Sequence, residues 1–178
     1  MDTITYQWLL KGKLSADLLD EFERWQEVRE CWRKNGSEMK LVPLRYIQDW
    51  DLEKRRMVAA DLIKLVENGG IACGAFLGSR LIGFASVDKK IFGDHRKYAE
   101  LKMLQVSRPY RSRGIGRKLL RFISEESRCW GIDSIYISAH SSKESQAFYR
   151  AVGCIPASEV NAEIAANEPF DCQMELEL

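Results

Sequence analysis

The residues whose types and spacing most suggest chemistry lie in Arg108–Leu120, RPYRSRGIGRKLL. Five of these thirteen residues are basic, and Gly114 and Gly116 stand one residue apart ahead of an apolar-periodic run. A helix start carries unpaired N–H groups and about half a positive charge. Successive loop N–H groups form a nest for an anion. Glycines let the backbone approach a bulky anion with no Cβ in the way. Arg111, Arg113, Arg117 and Lys118 surround the loop with positive charge. The chemistry implied is a diphosphate cradle at the end of the strand-like segment LKMLQVS. A plain turn with a solvated basic face is the competing reading. A dinucleotide fingerprint fits poorly, because position 119 is Leu where a third glycine belongs. A Walker loop would end in Gly-Lys-Ser/Thr and does not. A nucleic-acid surface would interleave aromatics with the basic residues, and only Tyr110 lies in the run.

Positioning such a loop needs a strand before it and a helix after it, and the hydrophobic periodicity supplies both. AELKMLQVS reads as a strand stopped by Pro109, and a helix follows from Gly114 to Trp130. IACGAFLGSRLIGFASVD reads as two strands joined at Gly78-Ser79. SIYISAH reads as a strand, SKESQAFYRAVG as a helix closed by Gly153, and DCQMELEL as a half-buried antiparallel strand with Cys172, Met174, Leu176 and Leu178 on one face. Upstream, a helix is expected from Ser15, with Leu18, Phe22 and Trp25 on one face. EVRECWRKNGSEMKLVPL reads as a hairpin turning at Asn35-Gly36, with an extended first helix as the rival. A second helix runs from Asp51 to Asn68, with Leu52, Ala59, Ile63 and Val66 as its buried stripe. The order predicts an α/β (α+β) fold: a mixed, mostly antiparallel sheet with helices on both faces.

Composition bounds the rest. The chain has 178 residues, enough for one domain with a real core, and 46% are hydrophobic. A formal charge of +1 gives no global field to draw it onto nucleic acid or membrane. The five cysteines are scattered, with no Cys-x-x-Cys pair. Neither a metal site nor a disulfide framework is expected, and a cytoplasmic setting is. The first residues have too short an apolar run for a signal-peptide core.

Three segments together, the strand LKMLQVS, Arg111-Ser-Arg-Gly114-Ile-Gly116 and SQAFYRAVGC, resemble the GNAT superfamily of acyl-coenzyme A-dependent N-acetyltransferases. The resemblance covers roughly 71–178 well and 1–70 in outline. It implies a single domain over 1–178, with a cofactor-binding core at 71–178 and N-terminal helices and a hairpin at 1–70. It implies acetyl-CoA as cofactor. Arg111, Ser112, Arg113, Gly114, Ile115 and Gly116 would hold its diphosphate, and the backbones of Leu104, Gln105 and Val106 its pantetheine arm. Where family members often carry an Asn on that arm, this chain has Ser142.

Acetyl transfer to an amine needs a base, because an alkyl ammonium has a pKa near 10.4, and an acid for the departing thiolate. Tyr149 matches the tyrosine that family members use to protonate sulfur. Glu100, fourteen residues before Gly114, sits where some members place a catalytic glutamate. His140 and water are the rival bases. The expected partner is a small-molecule or peptide amine, with no nucleic acid and no membrane, in a fold that often forms a homodimer. From Ala151 to Leu178 there are six acidic residues and no Lys or Arg, among them Glu159, Glu163, Glu168 and Asp171. These could attract a cationic amine or be a solvated loop. Trp25, Trp32, Tyr46 and Trp50 could line an acceptor pocket or pack the N-terminal part. A catalytically silent acyl-CoA-binding module is the alternative function.

Overall fold

The computed structural model describes residues 3–178. The elements run β1 (Ile4–Trp8), β2 (Trp25–Asn35), β3 (Glu38–Asp49), α1 (Leu52–Glu67), β4 (Ile71–Leu77), β5 (Arg80–Phe92) and β6 (Tyr98–Val106), then α2 (Ile115–Ser127), β7 (Ser134–Ala139), α3 (Lys143–Ala151), β8 (Ile155–Pro156), α4 (Ala162–Asn167) and β9 (Cys172–Glu177). Seven strands form one sheet in the order β1-β4-β5-β6-β7-β9-β8, in which only β6 and β7 run parallel. β2 and β3 form a separate two-stranded ribbon. The mixed, mostly antiparallel sheet with helices on both faces is as the sequence predicts.

Alternation along the strands divides two cores between the faces. On one face α2 lays Ile115, Leu119 and Ile123 against Cys73, Ala75, Ile82, Ala85, Val87, Ala99 and Leu101. On the other, α1 packs Val58, Ala59 and Leu62 with Leu19 and Phe22 against Ala72, Leu81 and Phe84. The stripe of α1 is therefore rotated from the expected one, and Leu52 is exposed. Asp51 caps this helix by accepting from the Lys54 N–H at 2.8 Å.

The helix expected from Ser15 does not form. Tight turns closed by Leu18 N–Ser15 O, Asp20 N–Asp17 O and Phe22 N–Leu19 O drop Leu19 and Phe22 into the core. Trp25, expected on that helix, instead pairs with Asp49 and opens β2. The hairpin does form. Its two central residues are Gly36 and Ser37, with φ +65° at Gly36 alone, which fits type II′ rather than type I′. β1, read as no element in the sequence, extends the sheet by pairing with β4.

β9 departs from simple alternation. Met174 is buried on the α2 face as expected, but Glu175 on the opposite face is also fully buried. Tyr98 Oη donates to Glu175 Oε2 at 2.6 Å, and Ser158 donates to the same oxygen from N and Oγ, each at 2.9 Å. Arg96 Nη1 lies 3.5 Å from the other oxygen. Burial pushes this carboxyl up, but the Tyr98 and Ser158 bonds and the Arg96 charge outweigh it and hold the pKa below the usual value. A lowered folded-state pKa gives stability that is present above the unfolded pKa and lost as pH falls through the folded one. Glu175→Ala should therefore lower unfolding stability by about 1–3 kcal/mol at pH 7, since it removes the acceptor of the buried Tyr98 hydroxyl and of both Ser158 donors. Urea melts should show that cost shrinking as pH falls through the lowered folded-state pKa, where the wild-type carboxylate is itself protonated.

Candidate active site

The site begins where two strands part. β6 and β7 pair only through Tyr98–Glu100 and Ser134–Tyr136. Beyond that, β7 continues to Ala139 against β9, and β6 continues to Val106 against β5. A register shift on the β5 side pairs Ser86 with Met103 and Val87 with Leu101, leaving Lys102 as an extra residue. Such a bulge bends its strand and sharpens its twist. Leu104, Gln105 and Val106 line the resulting notch, and their groups facing β7 have no strand partner. An extended ligand could add itself there as a strand.

The loop after β6 closes the notch. Ser112 has φ +60° and Gly114 φ +76°, on either side of Arg113, so left-handed residues alternate with an ordinary one. That pattern turns successive N–H groups toward one point, as an anion nest requires. No side chain caps α2, and the Lys118 N–H is the one that reaches Gly114 O, at 3.1 Å. The N–H groups of Ile115, Gly116 and Arg117 precede that bond and are left for a ligand. The two glycines do different work. Gly114 supplies the left-handed turn, and a Cβ there would meet open space. A Cβ on Gly116 would lie 3.3 Å from the Phe148 ring, so this glycine seats α3 against α2 rather than admitting an anion.

The arginines of the loop are mostly braces. Arg111 donates from Nε to Val106 O at 3.0 Å and from Nη1 to Trp25 O at 2.8 Å. Arg113 reaches Pro109 O, and Arg117 reaches Ala151 O. These side chains hold the loop in shape, and what it offers at Arg111–Gly116 is its main chain.

Tyr149 lies half buried on α3, its ring 5.2 Å from that of Phe148. Burial raises its pKa strongly, and the Cys154 and Asp171 groups add to the effect, so the phenol stays protonated and able to donate. Ser142 is fully buried and caps α3, accepting from Ser145 N at 3.3 Å and donating to Ser145 Oγ at 2.9 Å. Glu100 stands on β6 opposite Tyr136, and both its oxygens lie 3.0 Å from Lys102 Nζ. His140 is engaged at both ring nitrogens: Nδ1 accepts from Ser142 N at 3.1 Å, and Nε2 lies 2.8 Å from Tyr46 Oη. Burial, with Arg24 and Arg33 nearby, pushes its pKa down and keeps the ring neutral.

The β2–β3 hairpin is bolted onto the β7–α3 turn beside these groups. Trp32 N donates to Ser141 O at 2.8 Å, Arg33 Nη1 to Ser141 Oγ at 2.6 Å, and Lys143 Nζ to Glu30 at 2.6 Å. Its tryptophans carry cations: Arg108 stacks 4.0 Å from the Trp25 ring centre and Arg150 lies 5.2 Å from Trp32. Arg24, just before the hairpin, was missed in the sequence. It donates to Gln48 Oε1 at 2.9 Å, while its buried Nε and Nη1 have no partner among the described residues. Burial, with Arg111 close by, lowers its pKa to about 10. The signal for it was a lone cation inside the aromatic stretch FERW. Of the acidic residues near the C-terminus, Glu159 is taken up by the Asp94, His95 and Arg96 N–H groups, whereas the charge of Asp171 reaches Tyr46 and Tyr149.

A cavity of about 310 Å³ lies under α1, lined by Leu62, Phe84, Ser86, Lys102 and Met103 among others. It flanks Lys102 rather than the 111–116 loop, so it is separate from the anion cradle.

The family model described as the acetyltransferase (GNAT) family matches residues 22–154. The chain belongs to the GNAT family. No curated protein sequence matches it. Among solved structures, a nourseothricin acetyltransferase superposes with a TM-score of 0.71 at 13% identity, over 98% of each chain. A structure from Bacillus anthracis str. Ames, assigned as a streptothricin acetyltransferase and in complex with acetyl coenzyme A, gives 0.69 at 15% identity over 99% of each chain. An aminoglycoside 6'-N-acetyltransferase complexed with coenzyme A gives 0.53 at 18% identity, over 67% of this chain and 78% of that one. At these identities the likeness is one of fold alone.

The two glycines of the GNAT loop can be told apart by stability. Gly114→Ala should cost about 1–2 kcal/mol through its left-handed backbone. Gly116→Ala should cost less, since the Phe148 ring need shift only slightly. Thermal melts of the two variants check the order.

Proposed function

We propose that this protein is an N-acetyltransferase, moving an acetyl group from acetyl-CoA to a primary amine of a small molecule or a peptide. The observation that carries the reading is the loop with alternating left-handed residues, set at the mouth of a notch between two diverging strands. Arg111 to Gly116 would hold the diphosphate through main-chain N–H groups. Leu104, Gln105 and Val106 would hold the pantetheine arm as an added strand, with Ser142 alongside. The carrier supplies an activated thioester. The chain's own residues supply orientation and proton transfer. Tyr149 donates a proton to the departing sulfur, a role worth about 10²–10⁴ in rate. A base on the acceptor side takes the amine proton; Glu100, His140 and water are the candidates from the sequence, and Glu100 would first have to leave Lys102. All five cysteines are free thiols, which supports a reducing, cytoplasmic setting. Among the described residues no helix is long and apolar enough to cross a membrane.

A silent acyl-CoA-binding module is the second reading, and the closed Glu100–Lys102 pair is the observation that favours it. Thiol release from acetyl-CoA with a panel of streptothricin, kanamycin, spermidine and a lysine peptide separates the two. Acetyl-CoA binding without release on any amine would support the module.

Tyr149→Phe should lower turnover about 100-fold and leave acetyl-CoA affinity unchanged by calorimetry. Unchanged turnover would remove Tyr149 from the mechanism. Gly114→Asp should weaken acetyl-CoA binding at least tenfold, about 1.4 kcal/mol, by placing a carboxylate against the cradle.

A further inference from the structure

Asp171 stands immediately before Cys172, which pairs with Ala139 at the last position of β7. That register sets Asp171 beside the C-terminal end of β7, the end at which β7 parts from β6. Its carboxylate is half buried. Groups from four surrounding elements act on it or feel its charge: Arg33 of β2, Tyr46 of β3, Tyr149 of α3, and Glu168 at the end of α4, with Cys172 on its own strand. Its main chain is fixed by a 3.0 Å bond from Asp171 N to Glu168 O. Among the described residues the one cation acting on it is Arg33, and it does so through charge without a hydrogen bond. Arg33 is itself held by Trp32 O at 2.8 Å and by Ser141 Oγ, and its guanidinium lies 4.8 Å from the ring centre of Phe170. Asp171 is therefore half buried, with a held main chain and, among the described residues, no bonded cation, and its charge reaches the candidate acid Tyr149.

Resting on the acetyl-transfer reading above, we propose that Asp171 is the base of that reaction: its carboxylate takes a proton from the acceptor ammonium, and the nitrogen lone pair so freed attacks the thioester carbonyl. The N–C bond forms and the C–S bond breaks. Of the two protons the nitrogen gives up, the first goes to Asp171 and from there to solvent. The second replaces the proton that Tyr149 hands to sulfur. Products are the amide, the free thiol and one released proton, so charge and atoms balance.

Burial, with Glu168 adding to it and Arg33 opposing it, raises the pKa of Asp171 to about 7. A carboxylate of that strength is a far better proton acceptor than an ordinary one, and still ionised in part at neutral pH. Its negative charge also contributes to the raised pKa of Tyr149. One carboxylate thus serves as base and helps keep the neighbouring acid protonated, the separation of roles expected of an acid–base pair. Glu100, by contrast, has both oxygens tied to Lys102.

The test has one arm without substrates and one with them. In carboxyl ¹³C NMR of the free protein, one resonance should titrate near pH 7 and vanish in Asp171→Asn. Its midpoint should fall in Glu168→Gln, which removes a like charge, and rise in Arg33→Gln, which removes the opposing one. An Asp171 resonance titrating in the ordinary carboxylate range overturns the inference, whatever the amine. In turnover with acetyl-CoA and the amine panel, Asp171→Asn should lower kcat at least 100-fold with acetyl-CoA affinity within twofold of wild type. The acid limb of the wild-type profile should move with Glu168→Gln and Arg33→Gln in the same directions as the NMR midpoint. Wild-type kcat in Asp171→Asn, or an acid limb that survives there and disappears in Glu100→Gln, overturns it while the acetyl-transfer reading stands. A wild-type protein that binds no acetyl-CoA overturns that reading instead, and this inference with it.

Discussion

Backbone groups in a sheet interior need partners, and an unpaired one away from water costs free energy. β6 leaves such groups unpaired in mid-sheet, because β7 stays beside it for only three residues before turning away with β9. The rest of the molecule is arranged around that defect. The bulge at Lys102 bends β6 away, Arg111 satisfies the Val106 carbonyl, and α2 and α3 cover the same face, meeting where Gly116 receives Phe148. A strand edge opened inside a sheet is specific in a way that an outer edge is not. Only a ligand that is extended, narrow and anchored at its far end can fill it.

The opposite wall of the cleft is built by the β2–β3 ribbon, which belongs to a separate sheet and is attached by the Trp32 N–Ser141 O bond and by side chains. Its attachments are short and partly charged: Arg33 on Ser141, Lys143 on Glu30, and cations over Trp25 and Trp32. Burial then shapes the electrostatics within. It drives Arg24 and His140 toward their neutral forms, lifts Tyr46 to about 12, and lifts Asp171 into the neutral range. The cleft is thus lined by groups whose charged states are disfavoured, with main-chain dipoles providing the fixed positive end.

The parts legible in the sequence are those written in local periodicity. Glycine spacing before an amphipathic helix marked the loop, and Val-, Ile- and Leu-rich runs bounded by Gly and Pro marked β4 to β7. Asn35-Gly36 marked the hairpin, although the register shifted the turn by one residue and changed its type. What was hidden depends on contacts between residues far apart. Leu18, Phe22 and Trp25 have helical spacing, but strand pairing with Asp49 claims Trp25 and tight turns bury Phe22. Glu175 looked like the polar face of a half-buried strand, and only the distant Tyr98 and Ser158 make its burial tolerable. At the site, the glycine spacing pointed to the 111–116 loop, and the family resemblance to Tyr149. Neither could show that Lys102 closes on Glu100, that the Ser142 hydroxyl caps a helix, or that Arg24 and Asp171 converge on the cleft from opposite ends of the chain.

Arg111 touches both halves of this arrangement. Its guanidinium ties the last carbonyl of β6 to the first carbonyl of the hairpin, and its own backbone opens the nest. Anything that settles on the nest therefore also restrains the first residue of the opposite wall. Such linkage is reciprocal, so a guest held by the hairpin firms the seat of the other in turn. One side chain thereby couples the loop after β6 to the hairpin across the cleft.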